Sequence, residues 1–273
     1  MNVKSHALYL LYIWLLFFGI CPLALILMTS FLSKNFEHLI ALPFTFQNYS
    51  TLFDPSIGHL FLRSILIACL ATSACLLLAY PFSYFLIKSK RQSLLILLII
   101  IPFWTSSLIR TYALIALLKL HGLLNTLLLG LHLIRQPLVL LYSNGAVIIG
   151  LIYTLFPFMV LPLFTHMERF DFRLLEAAQD LGAGKYALFF RVFLPNTMLG
   201  ILSGSLLVFL PAMTLFYIPN VLGGSRSILL GNFIQNQFFI VENWPAGAAT
   251  SVVLMSLLIG LLLMIKQSRR IFV

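Results

Sequence analysis

Six long apolar runs, near residues 8–32, 60–87, 93–118, 143–165, 197–219 and 246–265, contain no Asp or Glu at all. Each is long enough to cross a hydrocarbon core of about 30 Å at about 1.5 Å per helical residue. In hydrocarbon every backbone N–H and C=O must be satisfied within the chain, which admits only helices and closed barrels. Runs of this length select helices over the roughly ten-residue alternating strands of a barrel. The expected fold is therefore all-α: a polytopic membrane protein with six transmembrane helices in one domain, 1–273. Composition agrees, with 61% hydrophobic and 9% charged residues, against about a quarter charged in soluble domains. The first run follows Lys4 as a secretory signal would, but about 25 residues exceed a signal's apolar region, and it reads as a retained helix.

The formal charge of +10 invites a nucleic-acid reading, and its distribution argues against one. With both termini in the cytoplasm, the inside positions hold eleven of the seventeen basic residues, among them Lys4, Lys88, Lys90, Arg91, Arg169, Arg173, Lys266, Arg269 and Arg270. Lys34, Arg63, Arg110, Lys119, Arg135 and Arg226 fall outside or near outer helix ends. That asymmetry is the positive-inside rule, so it reports orientation in a lipid bilayer and no nucleic-acid partner.

Chemistry-bearing clusters are scarce. Cys21, Cys69 and Cys75 are an odd number, all inside apolar runs, and read as small packing residues. The six histidines, His38 among them, sit near helix ends or in loops without metal-ligand spacing. No Gly-rich phosphate loop occurs, so no catalytic residue, metal or cofactor site is expected in this chain.

The connections are unequal. Residues 88–92 form a tight turn, whereas 33–59, 119–142 and 220–245 are longer, with Pro, Gly and aromatics suited to caps or re-entrant segments on the outer face. The one long cytoplasmic loop, 166–196, holds four of the seven acids: Glu168, Asp171, Glu176 and Asp180. It reads as two short helices. Asp171 suits an N-cap, and Leu174, Leu175, Ala178 and Leu181 recur on one helical face. Gly182 stands where a left-handed C-cap is wanted. A second helix is expected from about Lys185 to Phe193, stopped by Pro195 before the fifth span. Such an amphipathic helix suits docking into a partner's groove, or lying as a hairpin in the headgroups.

This loop also carries a resemblance. Glu176-Ala177-Ala178, three residues, Gly182, nine residues, Val192, one residue, then Leu194-Pro195 resembles the EAA signature of ABC importer permeases, with Val192 replacing the usual Ile. The resemblance implies the type I ABC importer permease fold. It also implies that Glu176, Ala177, Ala178, Gly182, Leu194 and Pro195 form a coupling element docking on a separate ATPase, which alone binds ATP and Mg. Tyr80 to Leu86, Pro102 to Ala113, Gly200 to Met213 and Trp244 to Ser251 extend the likeness over nearly the whole chain. In those stretches the sequence is similar to the B-type permeases of spermidine/putrescine importers. That family works in the bacterial cytoplasmic (inner) membrane. Its partners are a homologous C-type permease, an ATPase dimer and an external polyamine-binding protein.

With no carboxylate inside a span, a polyamine would need other sources of negative potential. Phe216, Tyr217 and Trp244 flank the outer ends of spans five and six, with Asn220 and Glu242 nearby. Ring faces hold ammonium groups at about 0.5–2 kcal/mol each; the same aromatics also suit an interfacial belt. Arg110 is the conspicuous charge inside a span: it is expected to snorkel to the outer interface, the other reading being a gate or docking contact with Asp54 or Glu242. Two other readings stay open: an importer permease for a different small solute, and a secondary transporter working alone. The latter is disfavoured by the dearth of buried ionisable groups.

Overall fold

Elements in the expected six-span layout form largely as the apolar runs dictate. A computed structural model of the chain describes residues 3–34 and 40–269; His38 and Arg270 lie outside them. Among the described residues, six helical stretches are long and apolar enough to cross a membrane: Leu11–Ser30, Pro55–Lys88, Ser107–Gly130, Asn144–Glu168, Lys185–Thr214 and Trp244–Leu263. The chain groups into two compact units, Met1–Phe61 with Gly231–Val273, and Leu62–Leu230.

In the first unit, α1 (Val3–Ser30) packs along α12 (Trp244–Arg269), and the short α2 (Gln47–Thr51) touches α12. The carbonyls left open at the end of α1 need donors. Asn48 supplies them: its Nδ2 donates to Ser30 O at 3.0 Å and Leu32 O at 2.8 Å, beside a Ser30–Tyr49 hydroxyl pair at 2.7 Å. Phe31 closes this corner against Phe46 and Tyr49, with ring centroids 5.5 and 5.2 Å away. At the other end of the same connection, Asp54 accepts the Ser56 N–H at 2.9 Å and starts α3 (Pro55–Lys88). That backbone bond, with the Ser56 hydroxyl, holds the Asp54 carboxyl below the usual range.

The second unit is built around α7 (Asn144–Glu168), whose Val147, Leu151, Met159, Leu163 and Met167 are wholly buried. Its main partner is α10 (Leu194–Thr214). The buried face of α10 is Thr197, Gly200, Gly204, Val208 and Ala212, a small-residue stripe near every fourth position. Without a hydrophobic drive between helices in lipid, such stripes let backbones approach closely enough for dispersion to hold them. A Cβ on Gly204 would stand 2.9 Å from Met159 Sδ and 3.1 Å from Met159 O. The small face of α3 (Ala68, Ala71, Cys75, Ala79) is buried as well.

Two expectations need correcting. The span expected over 93–118 is broken into α4 (Gln92–Trp104) and α5 (Ser107–Leu118), joined by extended Thr105 and Ser106. Pro102 withholds an N–H in the last turn of α4, and the Thr105 hydroxyl donates to the Pro102 carbonyl at 2.6 Å, competing with the helix ladder. The third long apolar stretch is instead α5 together with α6 (Leu123–Gly130). Nor does Pro195 stop a helix. Residues Lys185–Thr214 run on continuously through α9 (Lys185–Ala187), a π-helical turn over Leu188–Phe193, and α10. Pro195 sits in the first turn of α10, and the wider i to i+5 turn before it gives room where its ring would crowd a preceding carbonyl.

Of the connections expected at 119–142 and 220–245, the first gives up α6 to the third apolar stretch, and the second, with Pro219, holds a π turn (Pro219–Gly223), a 3-10 turn (Gly224–Ser227) and α11 (Leu230–Phe239). Asn125, 1% exposed, ties the first of these down: it donates to Leu138 O and accepts the Leu138 N–H, both at 2.9 Å.

Candidate functional site

The loop between α7 and α10 is where the fold presents a surface without covering it. Its first helix, α8 (Arg173–Asp180), buries no residue. At its start the Asp171 carboxylate accepts the Arg173 N–H at 3.0 Å from one residue before the N-cap, which is Phe172 and not Asp171 as expected. The end is a complete Schellman cap. Gly182 takes φ +83°, its N–H donates to Gln179 O at 2.8 Å, and the Ala183 N–H donates to Ala178 O at 3.0 Å. Nothing lies within 4 Å of where a Gly182 Cβ would stand, so glycine is required by backbone conformation and not by space.

The apolar face expected on α8 is divided. Leu175 and Ala178 turn partly inward, toward the π turn, whereas Leu174 is 47% and Leu181 89% exposed. Tyr186 at 85% and Phe190 at 60% extend the exposed apolar surface. Glu176 and Ala177 are exposed as well. Between α8 and the π turn lies a cavity of about 300 Å³, lined by Tyr84, Leu175, Gln179, Lys185, Leu188, Phe189 and Phe193.

Behind this surface sits an aromatic cluster that the sequence reading missed. Phe193 packs edge-on against Tyr84 (5.4 Å), Phe170 (5.1 Å) and Tyr80 (6.2 Å). Phe170 in turn meets Phe172 at 5.3 Å, and Phe189 meets Tyr80 at 5.9 Å. Such T-shaped pairs add about 0.5–1.5 kcal/mol each beyond their burial. A 3.0 Å bond between the Tyr80 and Thr197 hydroxyls and Lys88 Nζ 4.5 Å above the Tyr84 ring complete the joint. The cluster links the end of α3, the α7–α8 turn and the start of α10. Its signal was available: Phe189 and Phe193 are four residues apart inside the motif, and Tyr80 and Tyr84 are four apart on α3.

Of the motif residues, Glu176, Ala177, Ala178 and Gly182 fall together on α8 and its cap, whereas Leu194 and Pro195 open α10. The residues expected along a cargo path form two groups. Phe216 and Tyr217 are adjacent rings, 6.3 Å apart, at the end of α10; the Tyr217 hydroxyl is hydrogen-bonded to Ser107 at the head of α5, and Asn220 is exposed one turn on. Glu242 (φ +52°) and Trp244 belong to the other unit, where Trp244 packs on Phe238 at 5.9 Å. Among the described residues no group of His, Cys, Asp and Glu has metal-site spacing.

No protein-family model matches the chain. It is 46% identical over 255 residues to the spermidine/putrescine transport system permease protein PotB of Haemophilus influenzae, covering 92% of this chain and 89% of that one. The Escherichia coli K12 protein of the same name is also 46% identical, with 92% of each chain covered. The chain belongs to the PotB permease family. A more distant relative, the inner membrane ABC transporter permease protein YdcU of Escherichia coli K12, is 28% identical over 77% of this chain and 71% of its own. Two solved structures share the fold. A chain of a bacterial alginate ABC transporter, in complex with an alginate pentasaccharide-bound periplasmic protein, superposes with TM-score 0.79 at 15% identity, covering 99% of this chain and 95% of its own. A second alginate importer structure gives 0.74 at 17% identity, with 98% and 96% covered. The chain therefore has the ABC transporter permease fold, with six helices among the described residues long and apolar enough to cross a membrane, and the relatives it matches are transport permeases, not enzymes.

Proposed function

We propose that this chain is the membrane permease subunit of a polyamine ABC importer in the bacterial inner membrane, driven by a separate ATPase dimer through the loop between α7 and α10. The cargo reading rests on 46% identity to spermidine/putrescine permeases along 92% of the chain. The coupling reading rests on α8, an exposed, capped helix carrying the EAA signature, whose leading turn is joined by edge-on rings to α3 and the π turn before α10. A homologous C-type permease supplies the other half of the path, and an external binding protein delivers the polyamine. ATP and Mg are bound by the ATPase and not by this chain. Radiolabelled spermidine uptake into vesicles holding the purified complex tests this directly. Competition by putrescine but not by amino acids or anions is expected; indifference to excess putrescine would reject the cargo.

Both termini belong in the cytoplasm on the lysine and arginine asymmetry. A reporter fused beyond Arg270 is therefore expected to behave as internal and one inserted near Arg226 as external. An external signal beyond Arg270 overturns the orientation.

Tyr217 and Trp244 are assigned to the cargo path, where ring faces hold ammonium groups. Alanine at either is expected to weaken cargo affinity roughly 2- to 30-fold, the span of about 0.5–2 kcal/mol, while phenylalanine retains most of it. Normal apparent affinity in both alanine variants returns these rings to the interfacial belt.

A further inference from the structure

Three cations in four residues, Lys88, Lys90 and Arg91, stand at the turn between α3 and α4, and the transport reading leaves them unused. Arg110 is not of this kind: expected to snorkel, it is instead 8% exposed, its guanidinium 5.5 Å from the Phe103 ring centroid. Large apolar side chains are exposed on both sides of the turn, Phe85 at 59% and Leu94 at 54%. In a chain whose apolar exterior faces lipid, a charged turn between two such residues lies at the edge of the hydrocarbon, among the headgroups. The cavity of about 300 Å³ between α8 and the π turn lies at the same level. Tyr84, one turn before Lys88, is part of its wall, and Lys88 Nζ stands 4.5 Å from the Tyr84 ring centroid. Lys185, another wall residue, opens the apolar stretch Lys185–Thr214. Among the described residues neither lysine makes an ion pair, and the α8 acids Glu176 and Asp180 are exposed and line no part of the cavity.

We infer that this cavity is a lipid site, which holds the phosphate of an anionic phospholipid against Lys88 and Lys185. Basic pockets between helix ends at a membrane surface suit such headgroups. Leu188, Phe189 and Phe193 offer an apolar wall to the glycerol and first acyl methylenes that follow the phosphate, and the Gln179 amide is a further donor. The competing occupant is a side chain of the ATPase. Tyr84, Lys185 and Leu188 of the wall belong to helices that continue into the bilayer, so the cavity lies at the lipid edge. Glu176 and Leu181, on the exposed part of α8, are what an ATPase meets. The inference uses the membrane boundary and not the coupling role of the loop.

The test uses the full chain in its purified complex, in nanodiscs of phosphatidylcholine with or without phosphatidylglycerol, with retained lipid and ATPase counted together by native mass spectrometry. Wild type is expected to retain phosphatidylglycerol in preference to phosphatidylcholine, undisturbed by excess inorganic phosphate. Lys88→Gln is expected to lower that retention roughly fivefold, the scale of one lysine at a lipid surface, and adding Lys185→Gln to lower it further by about as much. Lys88→Arg should keep most of it, and exposed Arg135→Gln should match wild type. Leu175→Trp, which fills the cavity and leaves both lysines in place, should also lower retention. Absence of headgroup preference in wild type overturns the proposal without any variant, and so does equal retention by the double lysine variant. Displacement by inorganic phosphate overturns it in favour of a free anion. Unchanged retention in Leu175→Trp overturns it too, and leaves the lysines as open surface charge. Phosphatidylglycerol found only on particles that have lost the ATPase overturns it as well, and gives the cavity to an ATPase side chain.

Discussion

Gly182→Val is expected to abolish most polyamine uptake while leaving the six spans inserted. At φ +83° glycine is unstrained, whereas a β-branched side chain there costs more than the roughly 1 kcal/mol charged to an ordinary residue. Relief requires the Schellman bonds from Gly182 to Gln179 and from Ala183 to Ala178 to break, which lets α8 fray at the end nearest the exposed Leu181. Glu176→Lys perturbs the same surface electrostatically, without touching the backbone. In a groove on an ATPase a carboxylate meets a donor or cation, and reversal sets like charges together at a cost of several kcal/mol. Both variants should fall about tenfold or more in uptake and in retained ATPase. Lys185→Gln, a polar exchange at an exposed site, should change either readout little. Wild-type transport by both Gly182→Val and Glu176→Lys would remove the loop from the coupling role.

The second large effect belongs to the α7–α10 contact. Gly204→Leu must place a branched side chain where a single Cβ already meets Met159 Sδ at 2.9 Å, with Met159 itself wholly buried. Met159 is flexible, but its backbone O at 3.1 Å is not. Overpacking of about 1–3 kcal/mol or more follows, enough to lower the melting temperature of the detergent-solubilised complex by roughly 5 °C and to cut the folded yield. Gly130→Leu is the matched control, because nothing lies within 4 Å of its Cβ position. Equal melting of the two variants would mean that α7 and α10 do not depend on close approach.

Legibility in the sequence followed the physics of each element. Span number was readable because hydrocarbon leaves the backbone no alternative to long helices. The Gly182 cap was readable because its bonds are local, closing within five residues. What a run of hydropathy cannot report is continuity. The break at Thr105–Ser106 and the passage through Pro195 both turn on single backbone donors, and the same residue type ends one helix and is absorbed by a π turn in the other. Arg110 was misjudged for a related reason. Its distance along the chain placed it near an interface, but its head group is buried by the packing of α4, α5 and α7, which sequence distance does not encode. The ring cluster around Phe193 joins residues more than a hundred positions apart, so only its two local pairs were visible beforehand.

Continuity from Lys185 to Thr214 also sets a mechanical ratio. Thirty residues without a break form a rod of about 45 Å, so a tilt of about 10° at the Lys185 end sweeps the Thr214 end through about 8 Å. A hinge at Pro195 would have absorbed that tilt close to its source. With the π turn in place of a hinge, a small angular input reaches the far end of α10, beside Phe216 and Tyr217, as a displacement wider than a polyamine chain.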